Sequence, residues 1–227
     1  MERYTPRERA SEARHALPQA AANMSAHAYG ILSGMIMRRE LRGGDKLVEQ
    51  RLAEQLQISR TPLREAMQRL EGEGLIRKGA TRSYVVRVVE MREYLQSLRV
   101  RKVLEAEAAA LAAGKVGPEE IARVREVVLA LERMVPYNTQ AHWACDDEVH
   151  NLFIDACGNG VMAAILRDMR VTTRLFEIAQ LAERLGPDSR EHLAILDAIE
   201  AGDSEKARAA MAAHAQSLFD FAVGTIS

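Results

Sequence analysis

From Ala26 onward the apolar positions keep a helical beat, with Tyr29, Ile31, Leu32, Met35 and Ile36 along one stripe and Gly43-Gly44 breaking the chain after it. Leu52, Ala53 and Leu56 give a short second helix its apolar face, and Ile58-Ser59 reads as a tight turn. A third helix starts at Ser59 or Arg60 with Leu63, Ala66, Met67 and Leu70 as its buried stripe. Pro62 suits its first turn, where a missing N–H costs nothing, and Glu65 lies close enough to complement the helix dipole. Gly72 and Gly74 stop that helix. Two short apolar runs, Leu75–Arg77 and Tyr84–Val89, then predict strands joined by residues 78–83. Three helices and a hairpin predict a winged helix-turn-helix over residues 26–90.

Past Glu90 the strand signals vanish. Helices are expected near 91–113, 118–135, 139–156, 161–185, 188–201 and 203–222. Gly114, Gly117-Pro118, Pro136, Gly158-Asn159-Gly160, Gly186-Pro187 and Gly202 separate them. Short connections between about six helices predict an antiparallel all-helical bundle over 91–227. Residues 1–25 carry no sustained apolar period and read as a flexible or weakly helical tail. The fold class expected is mainly α, a winged helix-turn-helix followed by a bundle, with no internal repeat.

Composition fits that pattern. Of 227 residues, 48% are hydrophobic and 28% charged, a folded rather than a disordered profile. Aromatics are only 4%, which argues against a large β-sandwich. No apolar run approaches the roughly 18 residues of a membrane span, and no signal-peptide core is evident. Cys145 and Cys157 cannot supply a disulfide framework or a four-thiolate zinc site, and read as reduced thiols of a cytoplasmic protein. The net charge of −1 hides a division: residues 26–90 hold 12 Lys+Arg against 8 Asp+Glu, residues 91–227 hold 15 against 21. A basic module followed by an acidic one implies different partners.

In a helix-turn-helix the second helix enters the major groove with its N-terminal residues at the base edges. Here those are Ser59-Arg60-Thr61-Pro62-Leu63-Arg64. Arg60 and Arg64 share one helix face, and an arginine there can pair bidentately with guanine. Ser59 and Thr61 can donate to phosphates beside the helix start. Two such arginines could equally be a solvated face, but the flanking helices and hairpin weigh against that. The stretch LRGGDKLVEQRLAEQLQISRTPLREAMQRLEGEGLIRK resembles the GntR family of bacterial transcription regulators. That resemblance implies DNA contacts at Ser59, Arg60, Thr61 and Arg64. Many relatives carry a glycine-rich wing tip; this chain has Gly79 and then Arg82-Ser83-Tyr84, with Arg82 a candidate minor-groove or phosphate contact.

The second module carries a more chemical signal. Asp146 and His150 lie four apart, putting a carboxylate and an imidazole on one helix face. His192 precedes Gly202 by 10 residues and His214 follows it by 12. At about 1.5 Å rise per residue both sit roughly 15–18 Å from the turn, so in a helical hairpin they reach one level. Three imidazoles and one carboxylate suit a divalent metal, zinc first, then nickel or manganese. Taken singly, each histidine is better explained as a surface or satisfied core residue. The segments DDEVHNLFIDACGN, REHLAILDAI and MAAHAQSL resemble the FCD effector-binding domain of the FadR subgroup. By that resemblance the metal ligands are Asp146, His150, His192 and His214; Asp147 faces about 100° away on a helix. The resemblance also marks Arg101 as a contact for a carboxylate effector, against a plainer helix-surface pair with Glu105, and Asn159 as a turn residue with a second possible role in the pocket. His142, Trp143 and Cys145 lie near Asp146 without a spacing that assigns them, and His15 and His27 receive no role.

The expectation is a ligand-responsive, DNA-binding regulator, in most such proteins a repressor. It would act as a homodimer on an inverted-repeat operator, with a small carboxylic acid as effector and no membrane. The alternative is a helical metallohydrolase fused to a DNA-binding module, against which stands the lack of a recognisable general base or oxyanion donor set. A third version makes the metal only structural.

Overall fold

The computed structural model describes residues 23–80, 83–176 and 180–225. The chain divides after Val88 into two compact units.

In the first unit α1 spans residues 23–37 and ends where Arg39 takes a left-handed backbone (φ 61°). Helix α2 (Glu49–Leu56) stops at Gln57, which is also left-handed (φ 54°). The N–H groups of Gln57 and Ile58 bond back to the carbonyls of Glu54 and Ala53, and Ile58 is buried. Ser59 is then extended (ψ 155°) as the N-cap of α3 (Arg60–Gly72), and Pro62 sits in its first turn. Leu63, Ala66, Met67 and Leu70 are fully buried, as are Leu32 and Ile36 of α1. Strands β1 (Lys46–Leu47), β2 (Ile76–Lys78) and β3 (Tyr84–Val86) form an antiparallel sheet in the order β1-β3-β2. Leu47 pairs with Tyr84, and Ile76 with Val86. Gly79 closes the turn toward β3: its N–H bonds Ser83 O at 2.8 Å, and a Cβ there would lie 2.9 Å from Ser83 Oγ.

The second unit is wholly helical among its described residues. Helix α4 (Met91–Ala112) packs against α6 (Thr139–Ala156), α7 (Gly160–Leu175), α8 (Leu185–Glu200) and α9 (Ser204–Gly224), while α5 (Pro118–Glu132) covers α6 and α8. Ala106, Ala108, Ala109 and Ala112 are buried, and their small side chains let neighbours approach α4 closely. Asn138, Asn159 and Asp203 cap α6, α7 and α9, each accepting a bond from the N–H three residues on. Val149, Phe153, Leu166, Ile195 and Met211 fill the core around a buried polar cluster.

Three expectations need correction. The sheet has a third strand, β1, because two residues are too short to show alternation. The helix expected over 161–185 ends at Leu175, with Phe176 extended (ψ 131°) and stacked on Tyr94 at 4.2 Å. The break expected at Gly186-Pro187 lies inside the first turn of α8, entered through a 3₁₀ turn (Leu181–Arg184). A proline in a first turn forfeits no helical hydrogen bond, so the dipeptide starts a helix there rather than separating two.

Candidate metal and DNA-reading sites

Helical spacing brings the charged groups of the second unit together. His142, Asp146 and His150 recur every four residues on α6, Asp188 and His192 do so on α8, and His214 faces them from α9. The imidazoles converge, with ring centroids 5.6 Å apart for His150–His192, 5.3 Å for His150–His214 and 4.7 Å for His192–His214. Asp146 Oδ1 lies 3.5 Å from His150 Nε2 and 3.7 Å from His192 Nε2. One donor atom from each of Asp146, His150, His192 and His214 falls within 4.8 Å of the others, a set that could hold a metal ion.

The electrostatics keep Asp146, His150 and His192 in ligand form. Burial, reinforced by Arg170, pushes His150 down to about 4, and burial with the neighbouring His214 holds His192 well below its ordinary value. Burial would raise Asp146, but Arg170 and the imidazoles outweigh it and hold the carboxyl well below the usual range. Neutral imidazoles and an ionised carboxylate are the metal-binding states. His214 Nδ1 donates to Glu191 Oε2 at 2.8 Å, which leaves Nε2 as the ring nitrogen on offer to an ion. That Nε2, the Nε2 of His192 and both ring nitrogens of His150 are buried without a hydrogen-bond partner among the described residues. His150 Nδ1 does come within 3.4 Å of Glu105 Oε2, at ion-pair distance but outside hydrogen-bond geometry.

Around the imidazoles lies a shell of charge that sequence reading passed over. Arg170 donates to Asp146 (2.7 Å) and Asp147 (2.8 Å), and Arg174 pairs with Asp147. Arg184 bonds Asp188, Glu191 (2.9 Å) and Ser217 (2.7 Å). His142 Nε2 donates to Asp188 Oδ2 at 3.0 Å, while its Nδ1 accepts from the Tyr137 hydroxyl at 2.9 Å. Arg184 and Asp188 are four apart, the signal of a shared helix face, but the break expected at Gly186-Pro187 hid it.

Arg101 faces inward. Its Nε and Nη2 bond Glu105 (2.9 and 3.1 Å) and its Nη1 bonds Thr173 Oγ1 (2.5 Å). The pair with Glu105 is therefore real but not on a helix surface: the two side chains are 2% and 0% exposed. Arg101, Asp146, Asp188, His214 and Trp143 line a narrow cavity with about 10 Å³ of room for the centre of a water molecule. Asn159 stands apart, exposed, accepting from Met162 N as the cap of α7. Buried Cys145 is pushed up to about 12 by desolvation and the nearby carboxylates, so it stays a thiol.

In the first unit Ser59, Arg60, Thr61 and Arg64 are all exposed at the start of α3. Arg64 is held by Glu49 of α2. Arg82 lies outside the described residues.

Comparison with known proteins matches residues 24–86 to the bacterial regulatory proteins of the gntR family and residues 96–217 to the FCD domain. The chain belongs to the GntR family. This GntR regulator is 30% identical to the HTH-type transcriptional regulator LutR of Bacillus subtilis, over 84% of the chain and 97% of that protein. It is 28% identical to the Nta operon transcriptional regulator of Aminobacter aminovorans, over 82% and 88%. The fold resembles that of E. coli McbR/YncC, with a TM-score of 0.74 and 21% identity over 90% of this chain and 99% of the other. Family and relatives are DNA-binding transcriptional regulators, not enzymes, and the metallohydrolase alternative falls with that.

Proposed function

We propose that this regulator binds an inverted-repeat operator as a homodimer and represses until a small carboxylic acid reaches a metal ion held by Asp146, His150, His192 and His214. The observation that carries the reading is the set of buried imidazole nitrogens left without hydrogen-bond partners among the described residues. Each unsatisfied buried polar group costs about 1–3 kcal/mol, and a domain is stable by only about 5–15 kcal/mol. Several at one point ask for a shared partner. A satisfied core histidine looks like His142, bonded at both nitrogens.

Three imidazoles and a carboxylate favour zinc, with nickel or manganese next. When bound, the ion supplies a Lewis-acidic position for a carboxylate oxygen. Glu191 fixes the tautomer of His214, and Arg170 keeps Asp146 ionised. Arg101 borders the same cavity and offers a guanidinium to a carboxylate, and Asp188 and Trp143 are among the residues of its wall. That cavity has room for about one water, so an organic acid enters only by displacing wall side chains. Binding is thereby coupled to a change of conformation, and an effector shifts operator affinity only by its preference between the two states. On the DNA side, Ser59, Arg60, Thr61 and Arg64 supply the phosphate and base contacts, and Arg82 adds one from the wing.

The test uses the full chain and a duplex enriched by it from a randomised library. Anisotropy titrations of the metal-loaded protein with acetate, lactate, succinate and citrate should find an acid that weakens operator binding by about 5–150-fold. Chelation should abolish that response. An acid response that persists after the metal is removed contradicts the reading.

A further inference from the structure

Arg64 is not a loose cation on α3. Glu49, in the first turn of α2, accepts from its Nε at 3.2 Å and its Nη2 at 2.9 Å, joining two helices across 15 residues. Glu49 is only 21% exposed, and with Arg64, Lys78 and Tyr84 it lines a cleft of about 520 Å³ between the helices and the wing. An isolated surface pair contributes little to stability, so stability is a weak reason for this one. Its geometry offers a better one. A guanidinium has five N–H groups, and the side-on pair, Nε with Nη2, is what Glu49 occupies. The end-on N–H groups of Nη1 and Nη2 remain, and these are the pair that can meet O6 and N7 of guanine.

From this arrangement we infer that Glu49 is a positioning residue for sequence readout: it aims the Arg64 fork at a base edge and, through its own charge, keeps Arg64 from serving as a general phosphate contact. An unrestrained arginine beside duplex DNA finds the nearest phosphate, which adds affinity without sequence information. A carboxylate behind it makes that default unfavourable, because a displaced Arg64 leaves Glu49 unpaired beside the phosphate backbone. The inference rests on the reading of α3 as the helix that enters DNA.

The experiment measures the dissociation constants of the full chain for the enriched duplex and for a shuffled duplex of equal length, from about 50 to 200 mM salt. For Glu49→Gln the ratio of the two constants should fall about tenfold, equivalent to about 1.4 kcal/mol of discrimination. Shuffled DNA should bind more tightly, with a salt slope steeper by about 0.9, the signature of one more neutralised phosphate. Glu49→Asp, which keeps the charge, should hold the ratio within about threefold of wild type. In an Arg64→Ala background, Glu49→Gln should leave the ratio unchanged. A wild-type ratio and slope in Glu49→Gln, or an equal effect in the Arg64→Ala background, overturns the inference while leaving α3 as the reading helix. If Arg64→Ala itself leaves the ratio intact, or the wild-type chain enriches no sequence, both fall.

Discussion

Glu105 is a carboxylate with no exposed surface, enclosed by Arg101, Arg170 and His150. Burial would raise it, but the Arg101 guanidinium, with His150 and Arg170 beside it, outweighs burial and holds it well below the usual carboxylate range. Removing one member of such a pair strands the others, so Glu105→Ala should lose about 3–5 kcal/mol in urea denaturation. A loss under about 1 kcal/mol would mean that water screens this pair as it would one at the surface. Asp146 and His150 were readable from a four-residue spacing, and the level of His192 with His214 from their distances to Gly202. Glu191, Arg170 and Glu49 were not. Each meets its partner across a packing contact between helices, and no interval along the chain encodes that. Arg101 lay between these cases: its neighbour Glu105 was visible, its burial was not.

Among the elements, α7 shows where local and tertiary signals part. Asn159 matched both a turn and a pocket position, and its bond to Met162 N makes it a helix cap. Asn159→Ala should cost about 1 kcal/mol of stability, with the acid response of operator binding unchanged. A weakened acid response at intact stability would return Asn159 to the pocket. Helix α3 began and ended close to where its apolar stripe put it, and α4 close to where the loss of strand signal and Gly114 put it. The end of α7 did not, because Phe176 leaves the helix to stack on Tyr94, a contact 82 residues away that no local pattern announces. Strand β1 escaped for a related reason: it exists only because β3 supplies its partner, Lys46 against Val85 and Leu47 against Tyr84.

For the molecule as a whole, the two-part organisation was written in the charge distribution and in the change of hydrophobic period near residue 90. The acidic second unit encloses His150 and His192, held neutral by burial and with buried ring nitrogens unpartnered among the described residues, so its stability should depend on a cation. A ligand at 100 times its dissociation constant stabilises by about 2.7 kcal/mol, or roughly 5–10 °C in a chain of this size. Chelation should lower the melting temperature by about that much, and zinc should restore it. An unchanged melting curve would place the unsatisfied imidazoles in contact with water instead. The most direct test of the central claim is elemental analysis of the dialysed protein, wild type beside His192→Ala. About one equivalent of transition metal per chain is expected for the wild type, and less than about a tenth for the variant with its helical signal retained. A wild-type chain that stays free of metal after incubation with zinc, or a variant that holds as much as the wild type, would contradict it.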